Sequence, residues 1–305
     1  MQTKQIVAIL GPTACGKTSL ALELSELYDC QILNCDSRQI FSEMEIGTAK
    51  PSSTERKRIP HHLLDICPPS SEFSAGDYCD AARKCLDSLW NDGKRVILAG
   101  GTGFYFEALV NGLSDTGKDP ILRQELTARL DDEGLDALVA ELYRLDPQAA
   151  GRIDLKNPRR VIRALEIIYT TGLNLSDARR IKNTLNADLL TILVTLPRKI
   201  LHEKITERVK KMIHDGLQTE VQTLVKHFGF DSPGLKTIGY AEWKSFFDGT
   251  TDLESVIEQI IIHTRQYAKR QETWFRKRPG IPFIDLSLPD AKIAIKCKVE
   301  QFYSK

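Results

Sequence analysis

The chain has 305 residues, 42% hydrophobic and 27% charged, with a formal net charge of +1 at pH 7. That length suits one large or two modest domains with a real core, and no apolar run is long enough to cross a membrane. A molecule this near neutrality can bind nucleic acid only through local clusters of charge.

Residues 6–10 are an unbroken apolar run suited to a strand buried on both faces. Next come Gly11, Pro12, Thr13, Ala14, Cys15, Gly16, Lys17 and Thr18, a complete phosphate-binding loop of the form GxxxxGK[ST]. Residues 19–28 then place Leu20, Ala21, Leu24, Leu27 and Tyr28 on one helical face. Strand, glycine loop and helix is the order this chemistry requires. Gly11 and Gly16 let backbone amides close around phosphate oxygens, Lys17 brings a mobile positive charge, and the Thr18 hydroxyl can ligate magnesium. A merely structural glycine turn is the bland alternative. The strand begins almost at once after Met1, so no leader is expected before it, and seven cysteines without a CxxC pair suit a reducing compartment. A cytoplasmic location is the expectation.

A second strand is expected over residues 31–35, delivering Asp36, Ser37, Arg38 and Gln39 beside the phosphate loop. Asp36 is a candidate general base; a turn or helix N-cap aspartate is the alternative. The third strand signal, residues 95–99, ends in Gly100, Gly101, Thr102 and Gly103 with no aspartate, which weakens a motor or switch ATPase reading. Residues 96–113 therefore read as strand, turn and helix. Strand signals vanish over residues 113–187, where helical periodicity marks 121–130, 135–145 and 158–170. Residues 189–196 resume as a buried strand, followed by helices over 199–227 and 253–277 and a short strand over 283–286. The expected fold is α/β, a P-loop NTPase-like parallel sheet flanked by helices with an all-helical insertion. The expected boundaries are 1–112, 113–187 and 188–305.

Basic residues crowd two places. Arg152, Lys156, Arg159, Arg160 and Arg163 lie in the insertion, with Arg179, Arg180 and Lys182 shortly after; Arg265, Lys269, Arg270, Arg276, Lys277 and Arg278 are interleaved with Tyr267, Trp274 and Phe275. Charge with aromatics fits RNA, while a solvated helix face is the alternative for either cluster. Adjacent His61 and His62 point oppositely on an extended segment and lack partners of ligand spacing, which favours structural or hydrogen-bonding roles over metal binding.

Together, Gly11 to Thr18, Asp36-Ser37-Arg38-Gln39-Ile40-Phe41, Ile46-Gly47-Thr48-Ala49-Lys50-Pro51, Ile59-Pro60-His61-His62-Leu63, Gly100-Gly101-Thr102-Gly103-Phe104-Tyr105, Arg160 to Glu166 and Thr264 to Gln271 resemble the bacterial tRNA dimethylallyltransferases, or isopentenyl transferases. The resemblance implies transfer of a prenyl group from dimethylallyl diphosphate to the exocyclic amine of adenosine at tRNA position 37, in tRNAs reading codons that begin with U. The loop, a nucleotide- and ATP-binding pattern elsewhere, would hold a leaving diphosphate with Mg2+ on Thr18. Asp36 matches the family's catalytic aspartate, Thr102 a threonine at the transferring centre, and Arg208 an arginine on the diphosphate. Contacts to the anticodon stem-loop are implied for Asp36, Ser37, Arg38, Gln39, Thr102, Arg123, Arg159, Arg160, Val161, Ile162 and Arg163. The target base would be flipped from its stack, and the insertion would be a swinging clamp on a monomer without membrane attachment.

This chain departs from the family at Cys15, where serine is frequent, at Phe41, where tyrosine is usual, and in residues 153–157, which lack a His-Pro pair; with only Cys297 near residue 305, the zinc finger of longer relatives is not expected. A thiol near a helix N-terminus has a lowered pKa, so alkylation of Cys15 is expected to block activity. A small-molecule kinase, a non-catalytic RNA-binding module and an enzyme prenylating free adenine nucleotides are the rival readings.

Overall fold

The computed structural model describes residues 4–113, 119–178, 183–278 and 280–304. The chain divides into two compact units, Met1–Leu109 with Asn186–Lys305, and Val110–Leu185. Arg179, Arg180 and Lys182 lie outside the described residues.

The first unit is organised by a six-stranded sheet of β1 (Gln5–Leu10), β2 (Cys30–Asn34), β3 (His61–His62), β4 (Arg95–Gly100), β5 (Asp188–Thr195) and β6 (Phe283–Asp285). Every pair is parallel and the order is β3-β2-β4-β1-β5-β6. Parallel neighbours need crossover connections, and α1 (Lys17–Tyr28), α2 (Ser53–Arg58), α3 (Ala75–Asn91) and α4 (Gly103–Asn111) supply the early helical segments. Helices on both faces explain why Ile6 through Leu10 are all buried.

The second unit carries α5 (Pro120–Glu133), α6 (Leu135–Leu145), α7 (Pro147–Ala150), α8 (Pro158–Thr171) and α9 (Leu175–Ala178) around its own core, which includes Leu126, Leu138, Leu142, Val161 and Leu165. The remaining helices, α10 (Arg198–His214), α11 (Leu217–Phe228), α12 (Trp243–Phe247), α13 (Leu253–Arg276) and α14 (Ala291–Tyr303), belong to the first unit.

Three differences from the sequence expectations have local causes. Leu27 is 56% exposed while Leu22 is buried, because the covered arc of α1 centres near Ala21 and Ser25 and leaves Leu27 outside it. The helical stretch 199–227 is two helices, parted at Gly216, whose φ of 99° lies in the left-handed region that favours glycine. α3 went unrecognised in the sequence although Ser74 and Asp77 form a capping box, and Tyr78, Ala82, Leu86 and Leu89 are buried at helical spacing.

Candidate active site at the sheet's carboxyl edge

β4 lies between β1 and β2, so three strand ends bring together the phosphate loop, the Gly100–Thr102 turn and Asp36. With strands about 4.8 Å apart, the loop after β1 and the aspartate after β2 stand roughly 10 Å apart across the end of β4. A cleft there is lined by Thr13, Ala14, Gly16, Lys17, Thr18, Asp36, Gln39, Gly100 and Arg208, among others.

The loop folds as its sequence requires. A Cβ on Gly11 would lie 2.1 Å from the Val194 carbonyl oxygen, so only glycine lets the chain pass β5 this closely. Gly16 has φ 97° and leads directly into α1, whose N-terminus faces the cleft with its positive dipole end. Lys17 Nζ donates to the Pro12 carbonyl at 2.5 Å. Burial lowers the Lys17 pKa, partly opposed by Cys15 and Asp36, and lowers that of Arg208, again opposed by Cys15 and Asp36. Arg208 Nη1 donates to Thr13 Oγ1 at 3.2 Å. Two half-buried cations in one cleft, each with its charged form disfavoured by partial loss of water, suit an anion.

Asp36 is a turn aspartate as well as a cleft residue: its Oδ1 accepts from Arg38 N at 2.9 Å, and Oδ2 has no hydrogen bond among the described residues. Ser37 N donates to Thr102 Oγ1 at 2.9 Å, and Thr102 and Ser37 hydroxyls pair at 3.3 Å. Burial pushes the Tyr267 phenol up to about 12, with the Asp36 charge adding to the rise and a hydrogen bond with Thr102 opposing it. Gln39 Nε2 donates to the Thr48 and Ala49 carbonyls at 3.2 and 3.1 Å, closing one wall of the cleft. Arg38 is exposed.

Cys15 is where the sequence reading is corrected. Its backbone belongs to the loop, but its side chain is 2% exposed in the core against β5, with Sγ 3.8 Å from the Val194 oxygen. Burial raises its pKa, outweighing Lys17 and Arg208; proximity to a helix N-terminus does not compensate for lost hydration.

The tRNA-contact residues expected in the insertion divide sharply. Arg159 and Arg160 are exposed, but Val161 and Ile162 are core residues of the second unit at 0% and 8% exposure. They fall on the apolar stripe of α8, so their side chains are not available to RNA. Arg123 and Arg163 both pair with the fully buried Glu166 carboxylate, at 2.8 and 2.9 Å. In the C-terminal cluster, Arg265 donates to Thr206 Oγ1 at 3.0 Å and Arg278 pairs with Glu107 over the Phe106 ring. Those two are internal ties, whereas Lys269, Arg270, Arg276 and Lys277 are exposed.

His61 and His62 make hydrogen bonds, to the Ile59 carbonyl at 2.7 Å and Gln31 Oε1 at 2.6 Å. Two features of the site had no role assigned from the sequence, although Gln271 closes the Thr264–Gln271 segment that carries the resemblance. Glu220, on α11, accepts from the amides of Glu45, Ile46 and Gly47 and from Tyr240 OH; Gln271 joins Thr13 to Gly101. Neither has a local sequence signal, because each partner lies far away along the chain.

A parallel sheet presenting a phosphate loop, two half-buried cations and a carboxylate at one edge defines an α/β protein of the P-loop kind. The family model for IPP transferase matches residues 39–278. The chain is 39% identical over 304 residues, 98% of its length, to tRNA dimethylallyltransferase 1 of Trichlorobacter lovleyi, covering 99% of that protein. It is 39% identical over 291 residues, 94% of its length, to the tRNA dimethylallyltransferase of Bacillus subtilis, covering 93% of it. Among solved structures, the full-length tRNA isopentenylpyrophosphate transferase of Bacillus halodurans aligns with TM-score 0.73 and 35% identity, over 99% of this chain and 97% of that one. A eukaryotic dimethylallyltransferase acting on tRNA aligns with TM-score 0.87 and 27% identity, over 99% of this chain and 80% of that one. The chain belongs to the IPP transferase family.

Proposed function

We propose that this chain transfers the dimethylallyl group of dimethylallyl diphosphate to the exocyclic amine of adenosine 37 in tRNA. It is a tRNA-modifying prenyltransferase, and the observation that carries the mechanism is that Asp36 shares one cleft with the phosphate loop and Arg208. The diphosphate lies against the loop amides, Lys17 and Arg208. As the allylic carbon–oxygen bond breaks, its electron pair goes to the diphosphate, where those cations stabilise the growing charge.

The adenine amine attacks the allylic carbon, and its proton passes to Asp36, whose Oδ2 is unengaged. Thr102, fixed by Ser37, orients the amine or the bridging oxygen. Among the described residues no group of three or more His, Cys, Asp or Glu side chains could hold a metal ion unaided. Thr18 lines the cleft beside Lys17, so a magnesium ion would take Thr18 together with diphosphate oxygens, neutralising the leaving group.

The insertion, with Arg123, Arg159, Arg160 and Arg163, binds the anticodon stem-loop, and the Asp36–Gln39 segment of the first unit contacts the flipped nucleotide. The reading is of a monomer that meets tRNA in the cytoplasm; no helix among the described residues is long and apolar enough to cross a membrane.

The test incubates the protein with magnesium, radiolabelled dimethylallyl diphosphate and unmodified tRNA, with AMP and ADP in parallel. Label should enter tRNA and fall by about 10²-fold or more with Asp36→Asn. Label confined to free nucleotide would move the assignment to a nucleotide-prenylating enzyme.

A further inference from the structure

Gln271 is a polar side chain on α13 that is only 5% exposed, and the reaction outlined above leaves it without a role. Both ends of its amide are engaged: Nε2 donates to the Gly101 carbonyl at 2.9 Å and Oε1 accepts from Thr13 N at 2.8 Å. These partners fix the orientation of the amide, since a carbonyl demands the nitrogen and an N–H demands the oxygen. The fit is close. A Cβ on Gly101 would lie 2.1 Å from Gln271 Nε2.

The two partners belong to opposite halves of the site. Thr13 is in the phosphate loop and its hydroxyl accepts from Arg208. Gly101 precedes Thr102, whose amide donates to the Cys35 carbonyl at 3.1 Å and whose hydroxyl holds Ser37 beside Asp36. A continuous set of hydrogen bonds thus runs from Arg208 through Thr13, Gln271 and the Gly101–Thr102 turn to Ser37. Glutamate could only accept, lysine could only donate, and asparagine is one methylene short.

We propose that Gln271 is a positioning residue that fixes the separation between the diphosphate-holding loop and the turn carrying Thr102. Leaving group, allylic carbon and amine must stand in line between these two elements, and a misplacement of about 1 Å costs on the order of 10²-fold in rate. Gln271 touches neither substrate in this scheme and acts through the two backbone segments it joins. The inference rests on the prenyl-transfer reading of the site.

The experiment compares wild type, Gln271→Glu, Gln271→Met, Gly101→Ala and the double variant Gly101→Ala/Gln271→Ser. For Gln271→Glu and Gln271→Met, kcat for tRNA prenylation should fall about 10- to 100-fold while KM for dimethylallyl diphosphate and the calorimetric affinity for magnesium pyrophosphate stay within about threefold. Gly101→Ala should melt at a lower temperature, and the added Gln271→Ser should recover part of that loss, since it removes the clash. Retention of wild-type kcat in both Gln271 variants would overturn the proposal. So would a loss of pyrophosphate affinity parallel to the loss of kcat, which would make Gln271 a support of the loop alone. If wild type prenylates no tRNA, the functional reading fails and the positioning role with it, while the melting comparison still reports whether the brace exists.

Discussion

Replacing Glu220 by glutamine isolates how much of the cleft wall depends on one carboxylate. Oε2 accepts from the amides of Glu45 and Ile46 at 3.1 and 2.8 Å, and Oε1 from Gly47 N at 3.1 Å and Tyr240 OH at 2.6 Å. These donors all belong to, or pack against, the loop that continues into Thr48, Ala49 and Pro51 of the cleft. A glutamine keeps one acceptor oxygen and turns an NH2 towards the other two donors. Two charge-assisted hydrogen bonds are lost, each worth about 1.5–3 kcal/mol where water is excluded. Glu220 is half-buried, so water recovers part of the loss and the net destabilisation should be about 3 kcal/mol. A fall in Tm of roughly 5–10 °C follows for a unit of this size. Thermal and urea melts of wild type and Glu220→Gln measure it, with Tyr240→Phe as a milder companion that removes one donor. A change below about 0.5 kcal/mol would refute the assignment of Glu220 as the anchor of this loop.

Diphosphate affinity should decline at alkaline pH. Burial lowers the Lys17 pKa in the free protein and a bound anion raises it, so between the two values binding takes up a proton and weakens as pH rises. Calorimetry with magnesium pyrophosphate in buffers of different ionisation heat should detect that uptake, and Lys17→Met should abolish it. Cys15 should resist iodoacetamide in the native protein while exposed Cys297 reacts; rapid labelling of Cys15 by mass spectrometry would contradict its burial. In the insertion, burial raises the Glu166 carboxyl but Arg123 and Arg163 outweigh it and hold it below the usual carboxylate range. Its stabilisation is therefore present at neutral pH and lost as pH falls through the depressed value. Glu166→Gln should destabilise the second unit by about 2 kcal/mol at neutral pH and flatten the acid limb, read by hydrogen exchange at α5 and α8.

Much of the site was legible in the sequence because it is local. The phosphate loop needs consecutive residues with glycine at fixed offsets, and Asp36 follows its strand directly, so their chemistry is written in adjacent letters. Apolar runs likewise announced β1, β2, β4 and β5, since strands covered on both faces cannot hide their composition. Surface against core was harder to read. Val161 and Ile162 sit among arginines in the chain yet turn inward, and Arg265 and Arg278 read as basic surface yet serve as ties within the first unit.

Which distant residues complete the cleft is set by how the chain packs. The insertion of β4 between β1 and β2 brings Asp36 opposite the loop; no local pattern specifies strand order. Glu220 meets the amides of residues 45–47, and Gln271 meets Thr13 and Gly101, across separations that periodicity cannot register. Even Cys15 depended on it: the sequence placed the thiol at a helix N-terminus, and packing against β5 turned its side chain away from the cleft into a setting where loss of water governs its acidity.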